Sequence, residues 1–191
     1  MNPPDFGTCR EEELWHYVAW HLEGAGIHSV LVGGAVVSIY TEGLYRSGDL
    51  DMVLDRYDQS GVFEILEKIG FKADKSRYFK HPECTHLFLE FPKGPVELGE
   101  QYPVTPDEIL VEGRTLRLLS PTDCVKDRLA AYIHWKARAG FNQAVLVCRR
   151  QQGRVDFGNV AAWCQREGNP AAFEELVQRL SELEIPDQTS P

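Results

Sequence analysis

The chain lacks any apolar run that approaches the length of a membrane span, and its first stretch, MNPPDFGTCREEE, has no basic start with an apolar segment behind it. Neither membrane insertion nor secretion is expected, and the expected compartment is the cytoplasm. Paired cysteines are missing as well. Cys9, Cys84, Cys124, Cys148 and Cys164 are odd in number and show no C-x-x-C spacing, which excludes a disulfide framework and points to reduced thiols. Basic residues are scarce: 20 Lys+Arg stand against 29 Asp+Glu, a formal charge of -9, which argues against a nonspecific DNA or RNA binder because phosphate affinity rests on Lys and Arg. There is no repeat and no low-complexity tract. What remains, 191 residues of which 43% are hydrophobic, suffices for one packed core with or without a helical extension.

The most informative stretch runs from Ile27 to Leu54 and reads IHSVLVGGAVVSIYTEGLYRSGDLDMVL. An apolar run to Val32 breaks at Gly33-Gly34, a short helical pattern through Ala35, Val36 and Ile39 follows, and Asp49-Leu50-Asp51 leads into a second apolar run. This predicts strand, glycine turn, short helix, acidic strand. Strand side chains alternate between faces, so Asp49 and Asp51 share one face and Leu50 and Met52 the other. Two carboxylates so close raise each other's pKa unless a cation lies between them, and a divalent metal suits that place. Backbone N–H groups at a glycine turn opening a helix can cradle phosphate. Metal-binding carboxylates facing such a turn indicate phosphoryl or nucleotidyl transfer.

Gly33, Gly34, Asp49 and Asp51 stand where the nucleotidyltransferase superfamily, which shares the polymerase-beta-type catalytic domain, carries its Gly-Gly or Gly-Ser pair and its acidic-apolar-acidic strand. The chain resembles that superfamily, in particular its minimal or toxin–antitoxin-related bacterial members. The resemblance implies an α+β fold, a nucleotidyltransferase-like mixed β-sheet flanked by helices and followed by a helical C-terminal region. It also implies transfer of a nucleoside monophosphate from a nucleoside triphosphate, ATP among them, to an acceptor that is a small molecule, RNA or protein. Two Mg2+ ions, or Mn2+, would be held by Asp49, Asp51 and a third carboxylate. A catalytically inactive binding module of the same fold, such as a toxin–antitoxin component, is the alternative.

Glu90 is the candidate third carboxylate, because it intrudes on the apolar run Thr85 to Phe91 and calls for a partner. Glu97 is the second candidate, since the sequence does not say which strand lies beside Asp49 and Asp51, and a solvated glutamate on an edge strand is the other reading. Many relatives carry Asp at this place, and Glu is longer by a methylene. Gly33 and Gly34 would hold phosphates. Ser38, Arg46 and Ser47 are further nucleotide-binding candidates, with a solvated or back-bonded Ser38 and a surface Arg46 as the other readings. Asp127-Arg128-Leu129-Ala130 resembles an Asp-Lys-Leu-x-Ala helix motif of the minimal group, which makes Arg128 a triphosphate contact or else a structural ion pair. The Arg-Asp pair common in relatives further along is missing.

Elsewhere, Thr8 and Glu11 form a capping-box signal for a leading helix through Leu14, Trp15, Val18 and Leu22. An amphipathic helix is expected over Ser60 to Ile69, and strands over Phe71 to Ala73, Arg77 to Lys80 and Thr85 to Phe91. Glu100 to Leu110 reads as proline-punctuated loop. Val111-Glu112-Gly113-Arg114-Thr115 suggests a turn between short strands ending at Leu118 and Leu119. Ser120-Pro121-Thr122-Asp123 is a helix start, and helical patterns follow over Pro121 to Gly140, Asn142 to Arg150, Val155 to Arg166 and Pro170 to Leu183. The expected division is a core over 1–119, a helical region packed on it over 120–186, and a frayed tail over 187–191.

Overall fold

A computed structural model describes residues 1–55, 60–74, 77–94, 96, 98 and 104–184. The helices are α1 (Glu11–Gly24), α2 (Gly33–Tyr40), α3 (Ser60–Lys68), α4 (Pro121–Trp135), α5 (Arg138–Arg150), α6 (Phe157–Arg166) and α7 (Pro170–Glu184). The strands are β1 (Ser29–Val32), β2 (Asp49–Leu54), β3 (Lys72–Ala73), β4 (Tyr78–His81), β5 (Cys84–Glu90), β6 (Asp107–Val111) and β7 (Arg114–Leu118). Among the described residues they form one mixed sheet in the order β3-β4-β5-β2-β1-β7-β6. The two central pairings that matter for function are β1 with β2, antiparallel, and β2 with β5, parallel.

Alternation on β2 decides which way the acids face. Leu50 and Met52 are fully buried, as are Leu31 on β1 and Leu89 on β5. Each such side chain stabilises the fold by on the order of 2 kcal/mol. With those residues committed to the core, Asp49 and Asp51 must occupy the opposite face. On the helical side α2 packs on β2 and touches both α4 and α5, so the helix that follows the glycines is wedged between sheet and C-terminal helices. Tyr40 at its end donates its hydroxyl to the Leu119 carbonyl at 2.6 Å, and Gln151 at the end of α5 donates to the Tyr40 carbonyl at 2.8 Å.

Several sequence expectations need correction. Thr8 does not cap α1: its hydroxyl donates to Asp5 at 2.9 Å, the cap is Arg10, and Glu13, not Glu11, accepts the Arg10 N–H at 2.8 Å. Residues 107–111 are strand, not loop. Glu112 and Gly113 both have positive φ, 43° and 78°, which suits the twist of a tight hairpin and pairs β6 with β7. The signal was weak because β6 is an edge strand, with Leu110 left exposed. The helix that starts at Pro121 ends at Trp135 rather than Gly140, because Lys136 turns left-handed at φ 56°, and Gly140 lies inside α5. Glu97, residues 95, 99–103 and 185–186, and the tail 187–191 lie outside the described residues.

The start of α4 is as expected: Ser120 accepts the Asp123 N–H at 3.1 Å, with Pro121 at the first helical position. Ser120→Ala should therefore lower stability by about 1 kcal/mol in urea unfolding, with the slope unchanged. A loss near zero would show that the cap contributes nothing here.

Candidate active site

The site is assembled where β1, β2 and β5 run side by side. The parallel register sets Asp51 directly opposite Glu90, and the antiparallel register sets Val32, the last residue before the glycines, opposite Asp51. One carboxylate oxygen from each of Asp49, Asp51 and Glu90 lies within 4.8 Å of the others. Glu90 is thus the candidate that the topology delivers to the acid pair. Such a set of hard oxygen donors suits Mg2+ or Mn2+.

The electrostatics show what the cluster costs. Asp51 is pushed from its ordinary 3.8 up to about 7, first by burial, then by the charges of Asp49 and Glu90, with Arg128 acting in the opposite sense. Glu90 is raised too, by burial first, against the pull of Arg77. Arg77 Nε lies 2.8 Å from Glu90 Oε1 on a largely exposed side chain. A divalent cation would remove the same strain more completely, so the donors present fit one.

The glycines lie hard against the acids. Gly33 has φ 74°, and a Cβ there would collide with Asp51 Oδ2. A Cβ on Gly34 would come within 2.7 Å of Ser47 Oγ. The immediate reason for glycine is therefore close approach of the turn to the acidic strand, and the open backbone facing the carboxylates follows from it. Ser47, in turn, donates its hydroxyl to Asp49 Oδ1 at 3.0 Å.

Glu11 was missed by the sequence reading as anything but a cap. It is buried, with 1% exposure, and its Oε1 accepts the Ser47 N–H at 2.7 Å and Arg46 Nε at 3.0 Å. The Ser38 hydroxyl also bonds to it. Burial would raise its pKa, but the backbone N–H groups of Glu11 itself and of Ser47, with Arg46 and Ser38, hold it below the usual carboxylate range. Arg46 and Ser38 are thus turned toward Glu11. A signal was available: Glu11 lies three and four residues before Leu14 and Trp15, on the buried stripe of α1. Arg77 was missed because only the β4–β5 register, Tyr78 opposite Glu90, brings it near.

Arg128 reaches the site from α4. It pairs with Asp127 through Nε at 2.9 Å and donates to Gln143 at 3.3 Å, while its charge acts on Asp51. Beside Glu90 a cavity of about 520 Å³ opens, walled by Phe63, Tyr78, Phe79 and Phe91 and bordered by Arg77 and Lys93.

No protein-family model matches the sequence, and no curated protein matches it. Solved structures do. An antigenic nucleotidyltransferase-like protein from Paracoccidioides brasiliensis superposes with a TM-score of 0.57 at 15% identity, over 86% of this chain and 92% of that one. ANT(2'')-Ia in complex with adenylyl-2''-tobramycin superposes with 0.52 at 15% identity, over 85% and 95%. The antibiotic-resistance factor ANT(2'')-Ia in solution superposes with 0.53 at 16% identity, over 88% and 94%. The chain therefore has the nucleotidyltransferase-like fold.

Two outcomes follow from this geometry. An acid whose pKa is raised on folding loses stability as pH rises from its unfolded value to its folded one, because the unfolded chain ionises freely while the folded one resists. With Asp51 the window runs from about pH 4 to about 7. In metal-free buffer Asp51→Asn should be more stable than wild type by roughly 2–4 kcal/mol at pH 8, with the gap closing toward pH 4. A gap that does not change with pH would contradict the strain. Glu11→Ala strands the buried Ser47 N–H and should cost roughly 2 kcal/mol, read by denaturant unfolding. It should also shrink any rise in melting temperature produced by Mn2+.

Proposed function

We propose that the protein is a nucleotidyltransferase that moves a nucleoside monophosphate from a nucleoside triphosphate to an acceptor hydroxyl. The observation that carries this reading is the convergence of Asp49, Asp51 and Glu90 beside the Gly33-Gly34 turn, within a nucleotidyltransferase-like fold. Asp49, Asp51 and Glu90 would hold Mg2+ or Mn2+; bound there, divalent cations supply charge neutralisation for the triphosphate and alignment of the attacking and leaving oxygens.

The residues of this chain have the remaining tasks. Backbone N–H groups at the start of α2 face the terminal phosphates, helped by the positive end of the helix. Glu90 accepts the proton of the acceptor hydroxyl as the new oxygen–phosphorus bond forms and the bond to pyrophosphate breaks; its raised proton affinity suits a base. Arg128, oriented by Asp127 and Gln143, contacts the triphosphate as charge moves onto the leaving group. Ser47 orients Asp49. Ser38 and Arg46 act through Glu11, keeping the turn before Asp49 in place. The helices from α4 onward wall one side of the cleft.

A small-molecule acceptor is favoured over RNA or protein by the cavity beside Glu90, whose volume of about 520 Å³ is that of a small-ligand site. The net charge of -9 also disfavours RNA. ANT(2'')-Ia, a structural neighbour, is seen in complex with a modified small molecule, adenylyl-2''-tobramycin.

Incubation with α-labelled triphosphates, Mg2+ and a cell extract should move label into the small-molecule fraction. Asp51→Asn should reduce this by at least roughly a hundredfold while the fold is retained. Label in RNA or protein would reassign the acceptor. Wild-type labelling no greater than that of Asp51→Asn would replace the enzyme with a nucleotide-binding module, as in a toxin–antitoxin pair.

A further inference from the structure

We propose that Cys9, Cys84 and His86 form a second metal site, for a zinc ion, which ties the chain ahead of α1 to the start of β5. The described cysteines are all buried and unbridged, and among the described residues Cys9 and Cys84 are the two that share a three-ligand cluster with a histidine. The two sulfurs and a ring nitrogen of His86 lie within 4.8 Å of one another. Tetrahedral zinc, with bonds of about 2.3 Å to sulfur and about 2.0–2.1 Å to nitrogen, spaces such atoms roughly 3.5–3.8 Å apart, so a contraction of at most about 1.3 Å closes the site.

Local structure prepares each ligand. Cys84 and His86 are two apart on β5 and share a face. Cys9 is presented by a turn in which its N–H bonds to the Asp5 carbonyl at 2.8 Å, while the Asp5 carboxylate receives the Gly7 N–H and the Thr8 hydroxyl. His86 Nε2 lies 2.9 Å from the Cys9 carbonyl oxygen, which can only accept, so Nε2 carries the proton and Nδ1 keeps its lone pair. An imidazole that donates its other N–H to a backbone carbonyl is the usual arrangement of a metal-ligating histidine.

The donor set separates this site from the carboxylates. Two thiolates and an imidazole select zinc over the hard cations that Asp49, Asp51 and Glu90 suit. The sulfurs are buried while His86 is exposed, which leaves a route for the ion and an open fourth position for water. The elements joined are the ones that deliver Glu11 and Glu90, so the staple would brace both sides of the candidate active site without touching it.

The test uses the full-length reduced protein carrying Asp51→Asn, so that the carboxylate site does not compete. Co2+ should give a sulfur-to-cobalt charge-transfer absorption at one equivalent, bleached by Zn2+, and Zn2+ alone should raise the melting temperature. Cys9→Ala with Cys84→Ala should abolish the absorption. Should that pair of changes unfold the protein, His86→Ala on the exposed ring should still weaken zinc by roughly tenfold or more. No cobalt–sulfur absorption, an absorption that survives loss of both cysteines, or zinc affinity indifferent to His86→Ala would each overturn the site.

Discussion

Three carboxylates held together on neighbouring strands are the constraint around which this molecule is built. Asp51 faces Glu90 across a parallel pair, with Asp49 two residues away on the same face. Like charges at such separations repel, and burial strengthens the repulsion. The strands cannot slip to relieve it. A shift of one residue would send the acids into the core and bring out Leu50, Met52 and Leu89, all of them fully buried. Hydrophobic burial on one face thus supplies the free energy that holds an unfavourable charge arrangement on the other. Arg77, just before β4, and Arg128, on α4, offset part of it. The remainder is what a bound cation would offset in the proposed site.

A fourth carboxylate supports the first three. Glu11 is buried at the start of α1, yet it stays charged because it is the shared acceptor for Ser47, Arg46 and Ser38. A buried charge is tolerable only when its hydrogen bonds are nearly complete, and these are drawn from the helix after the glycines and from the turn before the acids. The other end of that helix is held by Tyr40, bonded to the end of β7 and to α5. The glycine turn and the carboxylate cluster are therefore parts of one braced unit, the kind of preorganisation that the proposed transfer would need.

Much of this was legible in the chain. The order strand, glycine turn, short helix, acidic strand is written within 28 consecutive residues, Ile27 to Leu54, and each step depends on local chemistry: apolar runs, left-handed glycine, side-chain alternation. The Ser120-Pro121 helix start is equally local. Glu90 stood out because a charge in an apolar run needs a partner. Where local signals were ambiguous the reading erred. Glu11 passed for a capping residue, β6 looked like loop because an edge strand needs little apolar patterning, and one helix ran past the left-handed break at Lys136.

By itself, then, the sequence determined which segments are strands and helices around the glycines, which face the acid pair takes, and a resemblance to the nucleotidyltransferases. It could not say that Glu90 rather than another acid joins Asp49 and Asp51, that Glu11 holds the approach to them, that Arg77 reaches Glu90, or that Cys9 meets Cys84 and His86. Those are pairings between residues more than ten positions apart. Periodicity and turn chemistry act over a few residues, whereas the identity of a neighbour depends on strand order and register, which only the closed sheet and its packed helices decide.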